Sequence, residues 1–157
     1  ARVYDVARET PIHEAHLMSR RLDNRVWLKR EVLQPVFSFK LRGAYCKMSR
    51  LTPEQRSRGV IAASAGNHAQ GVAMAAQKLR MKATIVMPRT TPLIKVDAVR
   101  NLGARVLLHG DSYDEAASFI LIMTRPSSPG RARWAWRSCA STSGRWMRCS
   151  YRSAAAG

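Results

Sequence analysis

The chain is short of acid. Ten aspartates and glutamates stand against 27 lysines and arginines, and the formal net charge at pH 7 is +17. It is short of cysteine, with three, and of aromatic residues, at 7%. So few cysteines argue against a disulfide framework and agree with a reducing cytoplasm. Histidine is scattered as well. His13 and His16 lie near the start and read as capping or solvent-facing residues, while His109 ends a strand pattern. With Cys46 alone in the body, no ligand spacing suits a metal, and no metal site is expected. No apolar run is long enough to span a membrane, and the opening ARVYDVARE lacks the apolar stretch of a secretion signal. A cytoplasmic chain with no membrane partner is the expectation.

What is present is a regular alternation. Val26 to Arg30 reads as a short strand after an Asp23-Asn24 turn. Phe39 to Leu51 reads as a helix closed by Thr52-Pro53, with Glu54 opening another helical turn. Val60 to Ala63 is a buried strand, Asn67 to Leu79 an Ala-rich helix, and Ala83 to Met87 a strand ended by Pro88. Pro92 to Leu102 is helical up to Gly103, and Arg105 to His109 is a strand. Ser112 and Glu115 form the capping box of one more helix. Strand and helix alternating through short links predict an α/β fold, a parallel sheet with helices on both faces. GVIAAS is apolar nearly throughout, as a strand covered on both sides should be.

Two motifs carry chemistry. SFKLRGA (Ser38 to Ala44) offers an amine, Lys40, beside Phe39, Phe37 and the hydroxyl of Ser38. SAGNHAQG (Ser64 to Gly71) is a small-residue turn whose amides and Asn67 side chain can gather round an anion, and it directly follows a strand. Alone, Lys40 reads as a solvated charge near a helix start, and the Gly66 turn as a tight loop that lets a helix pack on a sheet. Side by side, an amine and an anion cradle suit Schiff-base chemistry on an amino acid.

In their full wording the motifs resemble the fold-type II pyridoxal phosphate enzymes, most closely the threonine dehydratases. The likeness runs from TPIHEA (Thr10 to Ala15) to HGDSYDEA (His109 to Ala116), through LKRE, QPVFSFKLRGAY, GVIAASAGNHAQGVA, ATIVMP, KVDAVRNLGA and VLLHG. The resemblance implies a three-layer fold like that of tryptophan synthase β, here incomplete, and pyridoxal 5'-phosphate as cofactor. It implies deamination of L-threonine, and of L-serine, to 2-oxobutanoate or pyruvate with ammonia, the first step of isoleucine biosynthesis. Lys40 would hold the cofactor covalently and then act as the catalytic base. Phe39 would pack near the cofactor ring and Asn67 would contact its hydroxyl. Ser64, Ala65, Gly66, Asn67 and His68 would hold the substrate carboxylate at a helix N-terminus. Family members are homo-oligomers, and serine racemase and the catabolic dehydratase share the Lys40 and Asn67 motifs. Two departures are visible: Val32 stands where an acid or amide is usual, and Phe37 where a histidine is common.

Beyond Thr124 the composition changes. Seven arginines follow with no lysine and no acid, together with three of the four tryptophans and two of the three cysteines, and no hydrophobic period is visible. One reading is a basic arm for nucleic acid. Another comes from the codons. Back-translated with GC-rich codons and moved one nucleotide, SSPGRARWAWRSCAST spells V-I-A-G-Q-G-T and then G-M-E-I-L-R-Q-H. RWMRCSYRSAAAG spells P-V-D-A-V-F-V-P-V-G-G-G-G, the glycine loop that holds the cofactor phosphate in the family. On this reading residues 1–119 are the N-terminal part of the catalytic domain and 120–157 an out-of-frame, disordered tail, with no nucleic-acid partner. Such a chain is expected to be marginally stable and inactive, or to be a non-catalytic truncated product.

Overall fold

A computed structural model describes residues 2–124 and 134–136. After a 3-10 turn at Arg2–Asp5 comes a small antiparallel pair, β1 (Ile12–Glu14) and β2 (Trp27–Lys29), joined through helix α1 (His16–Arg21). Ile12 stands opposite Lys29, and Glu14 opposite Trp27. Sequence pattern reveals only the second strand. β1 and α1 show no apolar period in sequence, and neither contains a buried residue.

Next comes helix α2 (Lys40–Met48), whose buried Leu41, Ala44, Tyr45 and Met48 form the stripe of an amphipathic helix. In α3 (Pro53–Arg58) the start is set by Thr52 rather than by Glu54. Thr52 Oγ1 accepts from the Gln55 amide at 3.2 Å, and the Gln55 side chain accepts from the Thr52 amide at 2.9 Å. That is a complete capping box with Pro53 in the first turn.

Three parallel strands follow: β3 (Val60–Ala63), β4 (Ala83–Met87) and β5 (Arg105–Leu108). Helices α4 (Asn67–Lys78) and α5 (Leu93–Arg100) connect them, and α6 (Tyr113–Thr124) leaves the last. At the α6 start Ser112 Oγ accepts from the Glu115 amide at 3.3 Å, but Glu115 reaches one residue further back, to the Asp111 amide at 2.8 Å. The capping box foreseen there is half made.

A fourth strand, β6 (Trp134–Trp136), completes the order β5-β4-β3-β6. It pairs in parallel with β3, Val60 opposite Trp134, in a stretch where the sequence shows no strand period. An open strand edge offers hydrogen-bonding groups to any backbone that reaches it, whatever its pattern. Helix α6 also runs through the expected boundary at residue 119, with Ile120 buried beside Ala116. The remaining tail residues lie outside the described ones.

Alternation along the strands divides the core into two layers. Ala62, Ala83, Ile85 and Met87 join one cluster with α2, α4 and α5, while Ile61, Ala63 and Val86 join a second with α6. Successive side chains of a strand point to opposite faces, so a strand apolar at every position feeds both layers. The expected sheet with helices on both faces is the one observed.

Gly59 turns the chain into β3 with φ of 78°, and a Cβ there would stand 2.6 Å from the Lys82 carbonyl oxygen. Gly59→Ala is therefore expected to cost about 1–3 kcal/mol from the backbone conformation alone. Denaturant unfolding would show it as a lowered midpoint.

Candidate active site

Lys40 opens α2 at the end of a loop that begins at Glu31. Ser38 is buried and its Oγ accepts the Lys40 amide at 3.2 Å, so the hydroxyl satisfies one of the donors a helix start leaves unpaired. The Lys40 ammonium lies 5.3 Å from the centroid of the Phe39 ring, within cation–π range. Phe37 and Phe39 are both exposed, so neither aromatic belongs to the core.

The second motif sits at the carboxyl end of β3. The Ser64 amide continues the sheet by donating to the Val86 carbonyl at 3.1 Å. Ser64 Oγ, buried, accepts from the amides of Gly66 at 3.3 Å and Ala69 at 3.2 Å. The hydroxyl thus organises the start of α4 from within and keeps its own O–H as a donor. Its backbone amide is committed to the sheet. Asn67 is the first residue of α4 and is exposed. Gly66 has an extended, negative φ of −138°, and a Cβ on it would meet nothing within 4 Å. Glycine here relieves no internal crowding; it leaves open space at the mouth of the helix, which an incoming anion could occupy.

The two motifs meet through backbone. A Cβ on Gly71, one turn into α4, would stand 3.1 Å from the Lys40 carbonyl carbon and 3.1 Å from the Leu41 nitrogen. Helix α4 therefore lies against the start of α2 where Lys40 begins. His68 registers the same proximity. Burial pushes its imidazole down to about 4, and the positive charge of Lys40 adds to that effect. At neutral pH His68 is uncharged, and the loop carries no second full positive charge.

Sequence reasoning missed the polar cluster beneath the Lys40 loop. Arg42, Gln34 and Thr10 each donate to the Glu31 carboxylate, and the Arg42 guanidinium holds that carboxyl below its ordinary value. Local sequence pattern offers no signal for it, because Thr10, Glu31 and Arg42 are far apart in the chain and only the fold brings them together. His13 meets Arg30 at 3.1 Å on the surface, and His109 stacks on Phe119 with ring centroids 4.0 Å apart. Neither approaches Lys40 through any contact among the described residues.

Residues 3–130 match the family of pyridoxal-phosphate dependent enzymes. The chain belongs to that family. This pyridoxal-phosphate dependent enzyme chain is 60% identical over 116 residues to a biosynthetic L-threonine dehydratase from Haemophilus influenzae, covering 74% of this chain and 23% of that protein. To threonine dehydratase from Nicotiana attenuata it is 58% identical over 121 residues, 77% of this chain and 20% of the other. The processed form of threonine deaminase isoform 2 from Solanum lycopersicum shares the fold with a TM-score of 0.73 at 56% identity, over 78% of this chain and 34% of that one. The chain thus spans about a fifth of the length of the curated relatives it matches.

The donor set fits the family's cofactor at two of its ends. Lys40 would supply an amine for the aldehyde, and Asn67 and Phe39 a polar and an aromatic group for the ring. The stretch expected in place of the phosphate-holding loop, Ala154 to Gly157, lies outside the described residues. Among the described residues no helix is long and apolar enough to cross a membrane.

Two glycines separate binding from folding. Gly66→Ala places a methyl in open space, so thermal stability should stay near wild type while carboxylate binding is lost. Gly71→Ala forces α2 and α4 apart and should cost about 1–3 kcal/mol, as overpacking does. Equal destabilisation by both would refute this assignment. His68 makes a pH prediction. Its depressed value means the unfolded chain binds a proton between pH 6.5 and about 4 that the native chain does not. Stability should fall as pH drops through that window, and His68→Gln should flatten the slope.

Proposed function

We propose that this chain carries the amine and carboxylate portion of a lyase site that deaminates L-threonine, and L-serine, to 2-oxobutanoate or pyruvate and ammonia. The observation that supports it best is the backbone contact at Gly71, which sets Lys40 beside the Ser64–His68 loop. The relatives named above as threonine dehydratases, in two cases at 58% identity or more, support the substrate class. The reading extends to isoleucine biosynthesis, a cytoplasmic location and a homo-oligomeric assembly.

Each residue has a task that its surroundings allow. Pyridoxal phosphate, when bound, supplies an electron sink for charge developing at the substrate α-carbon. Lys40 would hold the cofactor through its amine and, as a free amine, would take the substrate α-proton at Nζ. Ser64 offers its O–H, and the start of α4 its amides and positive dipole end, to the substrate carboxylate. Asn67 and Phe39 orient the ring from opposite chemical sides, one by hydrogen bonding and one by packing. With His68 neutral, the carboxylate is held by directed donors rather than by a competing cation.

Lys40 is one of six lysines in the chain, which makes the test internal. Pyridoxal 5'-phosphate is added to the purified chain, reduced with borohydride, and located by peptide mass spectrometry. Lys40 should dominate the modified peptides, and a visible absorbance band should vanish in Lys40→Ala. Modification spread evenly over the lysines, with the band unchanged in the variant, would sink the proposal.

A further inference from the structure

The loop between β2 and α2 ends on Lys40, and it is built around a carboxylate that the chemistry above does not use. The Glu31 side chain is only 16% exposed. It accepts from Arg42 Nε at 2.9 Å and Nη2 at 3.0 Å, from Thr10 Oγ1 at 2.7 Å and from Gln34 Nε2 at 3.2 Å. A two-point pair of this kind fixes the plane of the guanidinium as well as its distance. Arg42 stands two residues beyond Lys40 in the first turn of α2, so fixing its guanidinium fixes the rotation of the helix end that carries the amine. Arg42 Nη2 also donates to the Arg8 carbonyl at 2.8 Å, and its guanidinium lies 5.6 Å from the Tyr4 ring.

Gln34 closes the other side. It is fully buried, accepts the Arg8 N–H at 2.9 Å and donates to the Arg8 carbonyl at 2.8 Å, as a neighbouring strand would. Its own carbonyl accepts the Phe37 amide at 2.8 Å, in a turn where Phe37 takes φ of 55°. A bulky residue adopts that left-handed conformation only when its surroundings impose it. Phe37 is 70% exposed, so packing of its side chain is not the cause. The hydrogen-bonded loop is.

We infer that Glu31, acting through Arg42 and Gln34, is a positioning residue that sets where the Lys40 amine stands relative to the Ser64–His68 loop; the inference deepens the lyase reading and rests on it. It does not require Glu31 to touch cofactor or substrate. Glu31→Gln keeps the shape and one acceptor oxygen, but it puts an amide donor where the second oxygen accepts and removes the charge that holds the Arg42 fork.

The test uses the full chain and two readouts. One is borohydride trapping of added pyridoxal 5'-phosphate at Lys40. The other is the NMR titration of the His68 ring, which senses the Lys40 charge without any cofactor. Val99→Ala, a core change on α5 with no contact to the loop, serves as the control for lost stability, and Lys40→Met as the reference for a lost charge. In Glu31→Gln, trapping at Lys40 should slow by about tenfold to a hundredfold, the range a misplaced reacting group produces, with the other five lysines unaffected. The His68 midpoint should move up from about 4 in the direction seen in Lys40→Met. Val99→Ala should leave both readouts at wild-type values. If Glu31→Gln merely lowers the unfolding midpoint, with Lys40 trapping and His68 titration unchanged, the positioning role is overturned. If wild-type Lys40 is not trapped preferentially, the lyase reading fails, while the His68 titration still decides the role of Glu31. Should Glu31→Gln not fold, Arg42→Lys, which keeps the charge but gives up the fork, is read by the same two measurements.

Discussion

Close approach of two helix backbones at Gly71 is the constraint on which the rest of this structure depends. Helix α4 buries Ala69, Gly71, Val72, Ala73, Ala75 and Ala76, a surface with hardly a side chain beyond a methyl. Small residues let a helix lie close to its neighbours on more than one side, here α2 and the sheet. That closeness places the Ser64–His68 loop at the start of α4 and the Lys40 amine at the start of α2 within one field of charge. A larger side chain along this seam would not merely cost packing energy. It would separate two chemical groups that belong to different parts of the chain.

Two ionisable groups near the amine are pushed in the same numerical direction for opposite physical reasons. His68 is depressed because burial disfavours its charged form, and Glu31 is depressed because Arg42 favours its charged form. The outcome at neutral pH is a neutral ring beside the amine and a full negative charge beneath the loop. The Glu31–Arg42 ion pair is a local anchor, since both side chains are largely sheltered from solvent. Among the described residues, by contrast, the basic side chains are mostly exposed and say little about the site.

Much of the fold was legible because glycine and proline mark it. β3 and β4 have the bounds foreseen for them, one preceded by Gly59 and the other closed by Pro88. Elements without an apolar period stayed hidden, namely β1 and α1. β6 stayed hidden for another reason: its existence depends on a partner edge rather than on its own residues. In the site, the motifs gave the loop and the amine, but not the division of labour within Ser64, whose amide and oxygen are already committed. Glu31 and Gln34 drew no reading of their own, because nothing in the sequence says that a glutamine is buried and substitutes for a strand.

The two-residue alternation of β3 has a consequence for how such a site is inherited. Ile61 and Ala63 feed the layer under α6, and Ala62 feeds the layer under α4. Ser64 follows at the next position in the same ladder, still paired to Val86. A slip of one residue along this strand would exchange the two layers of core and turn the serine to the wrong side in the same movement. Core and loop therefore share a single register, and a shift of Ser64 along this strand would displace the hydrophobic layers with it. Selection for a well-packed sheet alone is enough to keep that register.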